Sequence, residues 1–418
     1  MPQDKLGQLT MDGSGASRAL LWGPLRSRNF RLLVACNVIS VAGSAVSFVA
    51  IPFAVLRIGG TASDVGYVAT AELIPLIAFL LLGGVIADRL PRHQVMVAAN
   101  TLQALAQGTS AALVLTGQAH VWQLAALAAA GGVGLGFYYP AAQGLLPQTV
   151  SAGQRPQANA LDRTGRNAAE IGGAALGGLL IGLAGPGWGL AIDAASFAAA
   201  AGLRIGMHLP SLPPAQAPSV LHELREGWHE FTSRRWLWII VAQFAFVAAV
   251  SAAVINVLGP LVAHSYLGGA RSWGFIVAAY SAGAVVGGLV MIKFRPRRIL
   301  VAAMLSVPAF SVLLFALAVP LAVHLDVAAA ILAGGCLEVF SVSWATTLQQ
   351  EIPPGKLSRV SSYNALGNFA LTPAGTAIAG PLASAFGTPA VLATGGSLVV
   401  ILPILVLLVP EVRNMRRK

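Results

Sequence analysis

The chain has 418 residues, 56% of them hydrophobic and 10% charged, with a net charge of +11. Soluble domains carry about a quarter charged residues, and no single soluble core could hide so large an apolar excess, so the composition excludes a water-soluble enzyme and points to a bilayer as solvent. The basic residues sit in short clusters between apolar runs rather than interleaved with aromatics on one face, which argues against a nucleic-acid partner and for the charge asymmetry of membrane proteins.

Residues 1–29 are polar and lack the apolar stretch of a signal peptide. They read as an N-terminal arm ending in a basic patch, Arg26, Arg28 and Arg31. A helix needs about 20 residues to cross hydrocarbon. Apolar stretches of that order follow at 31–56, 65–87, 94–116, 120–143, 160–184 and 188–208. Six more lie at 237–263, 273–293, 299–319, 324–347, 361–385 and 389–409. The expected fold is therefore an all-α membrane protein with twelve transmembrane helices in two bundles, 30–208 and 236–409. A linker over 209–235 joins them, and a basic tail over 410–418 closes the chain. The linker opens with Pro210, Pro213, Pro214 and Pro218, then places Leu221, Leu224, Trp228 and Phe231 at helical spacing, as a helix lying on the membrane surface would.

Placing the N-terminus in the cytoplasm puts every Lys and Arg on the cytoplasmic side except Arg57 and Arg271. The positive-inside rule favours that orientation, and only an even number of spans preserves the alternation. Both termini are then cytoplasmic. The two halves also repeat. GGVIADRLPRHQVMVAAN at 83–100 matches GGLVMIKFRPRRILVAAM at 287–304. Pro91 pairs with Pro296 at an offset of 205, while Gly153 with Gly355 and Gly178 with Gly380 keep 202. A near-constant offset implies parallel repeats.

Between the second and third spans stand Gly84, Asp88, Arg89, Pro91, Arg92 and His93. This run resembles the loop signature G-x-x-x-D-R-x-G-R-R of the major facilitator superfamily, with Pro91 where Gly is usual and His93 where a basic residue is usual. Pro52, Thr61 to Ser63, Pro75, Pro140, Pro147, Asn159 and the run Ile192 to Phe197 are similar to the subgroup of bacterial drug, macrolide and enterobactin exporters. The resemblance spans residues 30–410. It implies alternating access between two halves around a midplane site in a bacterial inner membrane. It further implies efflux of a small apolar or amphipathic compound, antibiotic or siderophore-like, in exchange for protons.

Gly84 permits close helix approach. Asp88 would face the N-terminal end of the eleventh span, with Arg89 and Arg92 adding pairs, as a conformational latch. Gly173, Gly177 and Gly178 in the fifth span resemble the exporter motif G-P-x-x-G-G, with Ala174 in place of Pro, and the eleventh carries Gly380 and Pro381. Small residues so spaced allow tight helix crossing.

Intramembrane acids are functional candidates because they are costly there. Glu170, Glu338 and Glu72 are the proton or substrate candidates, burial favouring the neutral form of a carboxyl. Asp193, near a span end, reads as structural, and Asp162 with Arg166 as an i,i+4 pair. Asn37, Ser40, Ser44 and Ser47 recur on one face of the first span, the face expected to line a cavity. Tyr138, Tyr139, Gln243, Asn256, Ser341 and Trp344 are further candidate lining residues, the aromatics able to stack on a ring-bearing cargo. Cys36 and Cys336 lie in apolar segments, and the seven His lack ligand spacing, so neither a metal nor another cofactor is expected. No phosphate-binding loop, nucleophile elbow or paired catalytic carboxylates occur, so the chain is expected not to be an enzyme. The expected partners are the lipid bilayer, a small-molecule cargo and, as the resemblance implies, protons, and the chain is expected to be monomeric. Two alternatives stay open on sequence: an importer or uniporter of a metabolite, and a non-transporting membrane sensor.

Overall fold

A computed structural model describes residues 23–207, 228–294, 296–319, 322–353 and 370–415, together with 360, 361, 363, 364, 367 and 368. Most of the linker reading, over 209–227, and the end of the basic tail lie outside the described residues. All regular structure among the described residues is helical.

The first half holds α1 (Arg28–Arg57), α2 (Ala62–Arg89), α3 (Arg92–Thr116), α4 (Val121–Leu145), α5 (Arg155–Ala184) and α6 (Pro186–Ile205). The second holds α7 (Arg235–Tyr266), α8 (Ala270–Lys293), α9 (Ile299–Ala318), α10 (Val323–Glu351), α11 (Thr372–Phe386) and α12 (Thr388–Val406). Residues 228–233 form a further helical turn, whose Trp228 and Phe231 pack on Tyr363.

Local chemistry sets the boundaries. Ser27 caps α1 by accepting from the Phe30 N–H at 3.3 Å. Thr61 and Asp64 form a reciprocal capping box at α2, satisfying donors the first turn would otherwise leave bare. α7 passes through a π turn at Val254–Leu258, just before Pro260. α9 passes through a 3₁₀ turn at Val307–Ala309, which contains Pro308. A proline removes one i→i−4 bond, and the ladder relaxes around it.

Among the described residues, nine helices are long and apolar enough to cross a membrane: α1, α2, α4, α5, α7, α8, α9, α10 and α12. Three more pack among them, and they are the polar ones or the incompletely described one. α3 carries Asn100, Gln103 and Gln107, α6 carries Asp193 and Arg204, and α11 is described without interruption over 15 residues. The outer surface is apolar, with Leu183 89% exposed, which water would not tolerate and lipid does. Exposed Trp122, Trp188 and Tyr266 stand at helix ends, where aromatic rings sit at the membrane–water boundary.

The same contacts recur in each half. α2 packs on α4, α3 on α6 and α1 on α5, just as α8 packs on α10, α9 on α12 and α7 on α11. A Cβ on Gly83 would strike the carbonyl of Gly136, and one on Gly287 the carbonyl of Gly335, so glycine knits both equivalent pairs. Gly185 (φ +90°) and Gly387 (φ +83°) make the equivalent left-handed turns between α5 and α6 and between α11 and α12. Their offset is the 202 residues of the sequence repeat.

The halves meet along two seams, α5 on α8 and α2 on α11. Both are tightest at the end away from the arginine clusters. A Cβ on Gly178 would lie 2.8 Å from the Ala270 carbonyl and from Gly274 Cα, one on Gly66 would lie 2.7 Å from the Thr376 carbonyl, and one on Gly380 would strike the Ser63 backbone. We call this the glycine end and the other the basic end.

Candidate functional site

A cavity of about 490 Å³ lies within the first half and extends to its seam with α8. Every first-half helix contributes: Ser40, Ser44 and Ser47 from α1, Glu72 from α2, and Gln103, Gln107 and Ser110 from α3. Tyr138 and Tyr139 come from α4, Arg166 and Glu170 from α5, and Asp193 and Phe197 from α6. The second half adds mainly rings and aliphatic groups: Ile255, Trp273, Ile276, Val277 and Tyr280.

Asp193 is the polar centre. It is 1% exposed. Gln107 Nε2 donates to its Oδ2 at 2.8 Å and to Ser47 Oγ at 2.6 Å, tying α3, α6 and α1 together. Ser44 Oγ donates to Asp193 Oδ1 at 3.5 Å, and Ser196 Oγ, which donates to the Asp193 carbonyl at 2.8 Å, lies 3.4 Å from the same oxygen. Such satisfaction is what makes a buried carboxyl tolerable.

A second network lies toward the basic end. Arg204 is fully buried; its Nη2 donates to Asn37 Oδ1 at 2.9 Å and to Tyr138 Oη at 3.1 Å. Asn37 Nδ2 donates in turn to Asp162 Oδ1 at 2.8 Å. Asp162 also faces Arg166 at 3.8 Å on its own helix. Asn37 thus bridges two buried opposite charges, and Tyr138 connects that network to the cavity wall.

The sequence-selected residues divide accordingly. Ser40, Ser44, Ser47, Tyr138, Tyr139, Glu72 and Glu170 line this cavity, whereas Asn37 sits one turn toward the basic end in the Arg204 network. Glu170 is exposed and accepts from Ser281 Oγ across the seam at 3.0 Å. Glu338 is away from this cavity and pairs with Arg163 across the halves at 3.6 Å. Trp344 is buried, donating Nε1 to Asn364 Oδ1 at 2.9 Å and stacking on Phe340. Gln243 is buried, and neither of its amide atoms has a partner among the described residues. Asn256 donates back to the Ala252 carbonyl at 2.9 Å, and Ser341 is exposed. Gly173 and Gly177 bring α5 onto α1 at Ala42 and Val46, and Pro381 lies inside α11. Of the latch residues, Gly84 and Asp88 have surroundings that lie outside the described ones. Arg89 is exposed at the end of α2, and Arg92 lies against Gly144 of α4.

Two features escaped the sequence reading. Asn100, Gln103, Gln107 and Ser110 recur at steps of 3, 4 and 3, a polar stripe in α3 as regular as the one in α1. Arg204 follows Asp193 by 11 residues, three helical turns, so the two share a face. Counting Arg204 with the cytoplasmic basic residues hid its burial.

Two repeated sets of membrane helices around a cavity that reaches their seam define a multi-pass membrane transporter rather than an enzyme. The chain belongs to the transmembrane secretion effector family of major facilitator transporters, whose family model matches residues 19–417. It is 27% identical over 391 residues to the multidrug efflux pump Tap of Mycolicibacterium fortuitum, covering 90% of this chain and 94% of the pump. It is also 27% identical over 408 residues to the enterobactin exporter EntS of Shigella dysenteriae, covering 93% of each. Among solved structures, the nucleoside transporter NupG superposes with a TM-score of 0.73 at 14% identity, covering 92% of this chain and 99% of that one. A bacterial homologue of the lysosomal transporter Spinster gives 0.68 at 15% identity, covering 92% and 96%. These similarities show the shared fold.

Proposed function

We propose that this transporter exports a small amphipathic compound from a bacterial cytoplasm in exchange for protons. The basic end faces the cytoplasm, the twelve helices each cross the membrane, and a single chain is the working unit. The likeness to Tap and EntS supports the outward direction, and the arginine clusters support the orientation.

The observation that carries the coupling is the position of two acids on the seam. Glu170 accepts from Ser281, and Glu338 pairs with Arg163, each bond joining one half to the other. A proton on Glu338 removes the charge that holds Arg163. A proton on Glu170 weakens its bond to Ser281 by turning a charged acceptor into a neutral one. Proton arrival and departure therefore act on the contacts that must break when the halves pivot. Glu72 adds a third acid in the cavity, and Asp88 with Arg89 and Arg92 would latch the basic end closed in the alternate state.

The test is cargo uptake into inverted membrane vesicles energised by a proton gradient. Wild-type vesicles take up cargo and lose it on adding a protonophore. Glu170→Gln and Glu338→Gln each lower uptake at least about tenfold, the effect of losing one charge-assisted contact. Uptake indifferent to protonophore refutes the coupling, and full uptake by both variants refutes the residues.

A further inference from the structure

Arg204 is a buried charge that is only partly met. It is 0% exposed, and its Nη2 donates to Asn37 and Tyr138, but no described group partners its Nε or Nη1. The Tyr138 ring, 5.3 Å away, offers a π face and no counter-charge. The network's carboxylate, Asp162, is reached only through the Asn37 amide and also faces Arg166. A buried guanidinium with free N–H groups and no touching counter-charge is costly. On α3, Asn100 is also 0% exposed, and neither of its amide atoms has a described partner.

Helical register brings the two side chains together. Gln107 of α3 donates to Asp193 of α6 at 2.8 Å, which sets a common level. Asn100 lies two turns from Gln107 toward the basic end, and Arg204 lies three turns from Asp193 in the same direction. The two helices run antiparallel, with Gly108 against Ala194 and Gly187 against Leu115. Side chains tilt toward the N-terminus of their own helix. Arg204 therefore leans toward the glycine end and Asn100 toward the basic end, which closes the one-turn offset. Three unpartnered nitrogens, Arg204 Nε and Nη1 and Asn100 Nδ2, then share this place with one unpartnered oxygen, Asn100 Oδ1. The next such oxygen, Gln103 Oε1, is a turn nearer the glycine end, on the cavity wall. Leu33 and Met96, one turn further toward the basic end on α1 and α3, are buried and apolar. A water molecule would accept from two of these N–H groups and bring no charge. A halide accepts from all of them and balances the guanidinium. We propose that Arg204 and Asn100 hold a small monovalent anion, a halide such as chloride, where α1, α3, α4 and α6 meet. The ion enters from the cavity past Tyr138 and fixes these four helices as one body. It is neither cargo nor coupling ion, so the site stands whatever the direction or coupling of transport.

Thermal unfolding of the full-length protein in detergent tests it, with chloride replacing gluconate at constant ionic strength. Gluconate is too bulky for a fully buried site. The wild-type Tm rises by about 2 °C or more and then saturates, as binding to the folded state requires. Asn100→Leu raises the half-saturating chloride concentration at least about tenfold, the loss of one hydrogen bond to a charged group. Arg204→Met abolishes the rise. Crystals grown in bromide show an anomalous peak within hydrogen-bond distance of Arg204 and Asn100, a readout that needs no variant to fold. A Tm indifferent to halide, a rise that never saturates, an unchanged half-saturating concentration in Asn100→Leu, or water without anomalous signal at this place overturns the proposal.

Discussion

The two halves of this molecule share a scaffold and differ in their interiors. Equivalent helix pairs pack in each, glycine knits α2 to α4 as it knits α8 to α10, and the turns at Gly185 and Gly387 are 202 residues apart. Yet the first half is filled with linked polar groups: Asp193 with Gln107, Ser44 and Ser47, and Arg204 with Asn37, Tyr138 and Asp162. Equivalent space in the second half holds a run of stacked rings, Phe244 on Phe340 on Trp344, with Trp236 edge-on. Duplication supplies a pivoting pair of bodies. Divergence then leaves one half lined with linked polar groups and the other with rings and aliphatic surface.

The largest effect that would break this contrast comes from the buried charges. Asp162→Asn removes the carboxylate that Asn37 links to Arg204 and that faces Arg166, and is expected to lower stability by about 3 kcal/mol, as an unmet buried charged group does. The double variant Asp162→Asn with Arg204→Met recovers most of that loss, because no lone charge stays behind. Thermal unfolding in detergent reads both, and a double variant worse than the single would show that the network acts by shape rather than charge.

Smaller, and equal in the two halves, is the effect of overpacking the knitted pairs. Gly83→Leu and Gly287→Leu should each lose about 1–3 kcal/mol. A loss confined to one of them would end the claim of a shared scaffold.

Comparable in size but opposite between the halves is the loss of a buried amide. Gln107→Leu removes the N–H donors of Asp193 Oδ2 and Ser47 Oγ and is expected to destabilise by about 1–3 kcal/mol. Gln243→Leu removes two unpartnered buried atoms and is expected to be neutral or stabilising. The same melting measurement on both sharpens the comparison, and a cost at Gln243 would mean that its amide has a partner in another state.

Smallest in stability is Arg163→Gln. The guanidinium is 77% exposed, so its pair with Glu338 contributes within about 1 kcal/mol. Its consequence should appear in vesicle transport, as a shift in proton dependence without loss of folded protein.

Much of the scaffold was readable from one chain because hydrocarbon imposes few patterns. Nine of the apolar runs appear among the described residues as helices long and apolar enough to cross a membrane, and the residue offset of 202 reappears as paired glycine turns. The serines of α1 fell on one face by spacing alone. The α3 stripe had the same regularity and was passed over because Asn and Gln are separated there by ordinary apolar residues. Contacts across the halves left no local trace. Nothing near Glu338 in sequence announces Arg163, 175 residues earlier, nor does Ser281 announce Glu170. The burial of Arg204 was masked by the expectation that a terminal arginine is solvated, although its register with Asp193 marked an inward face.

The central claim is that two bodies pivot about a seam that glycine closes at one end. With Cys36 and Cys336 replaced by Ala, spin labels on Tyr67 and Phe386 report the glycine end, and labels on Arg155 and Gln349 report the basic end. Distance distributions are then taken at low and high pH. The account predicts reciprocal change, the glycine-end pair moving apart in the condition that draws the basic-end pair together. Distances that stay fixed at both ends, or that lengthen and shorten together, would contradict it.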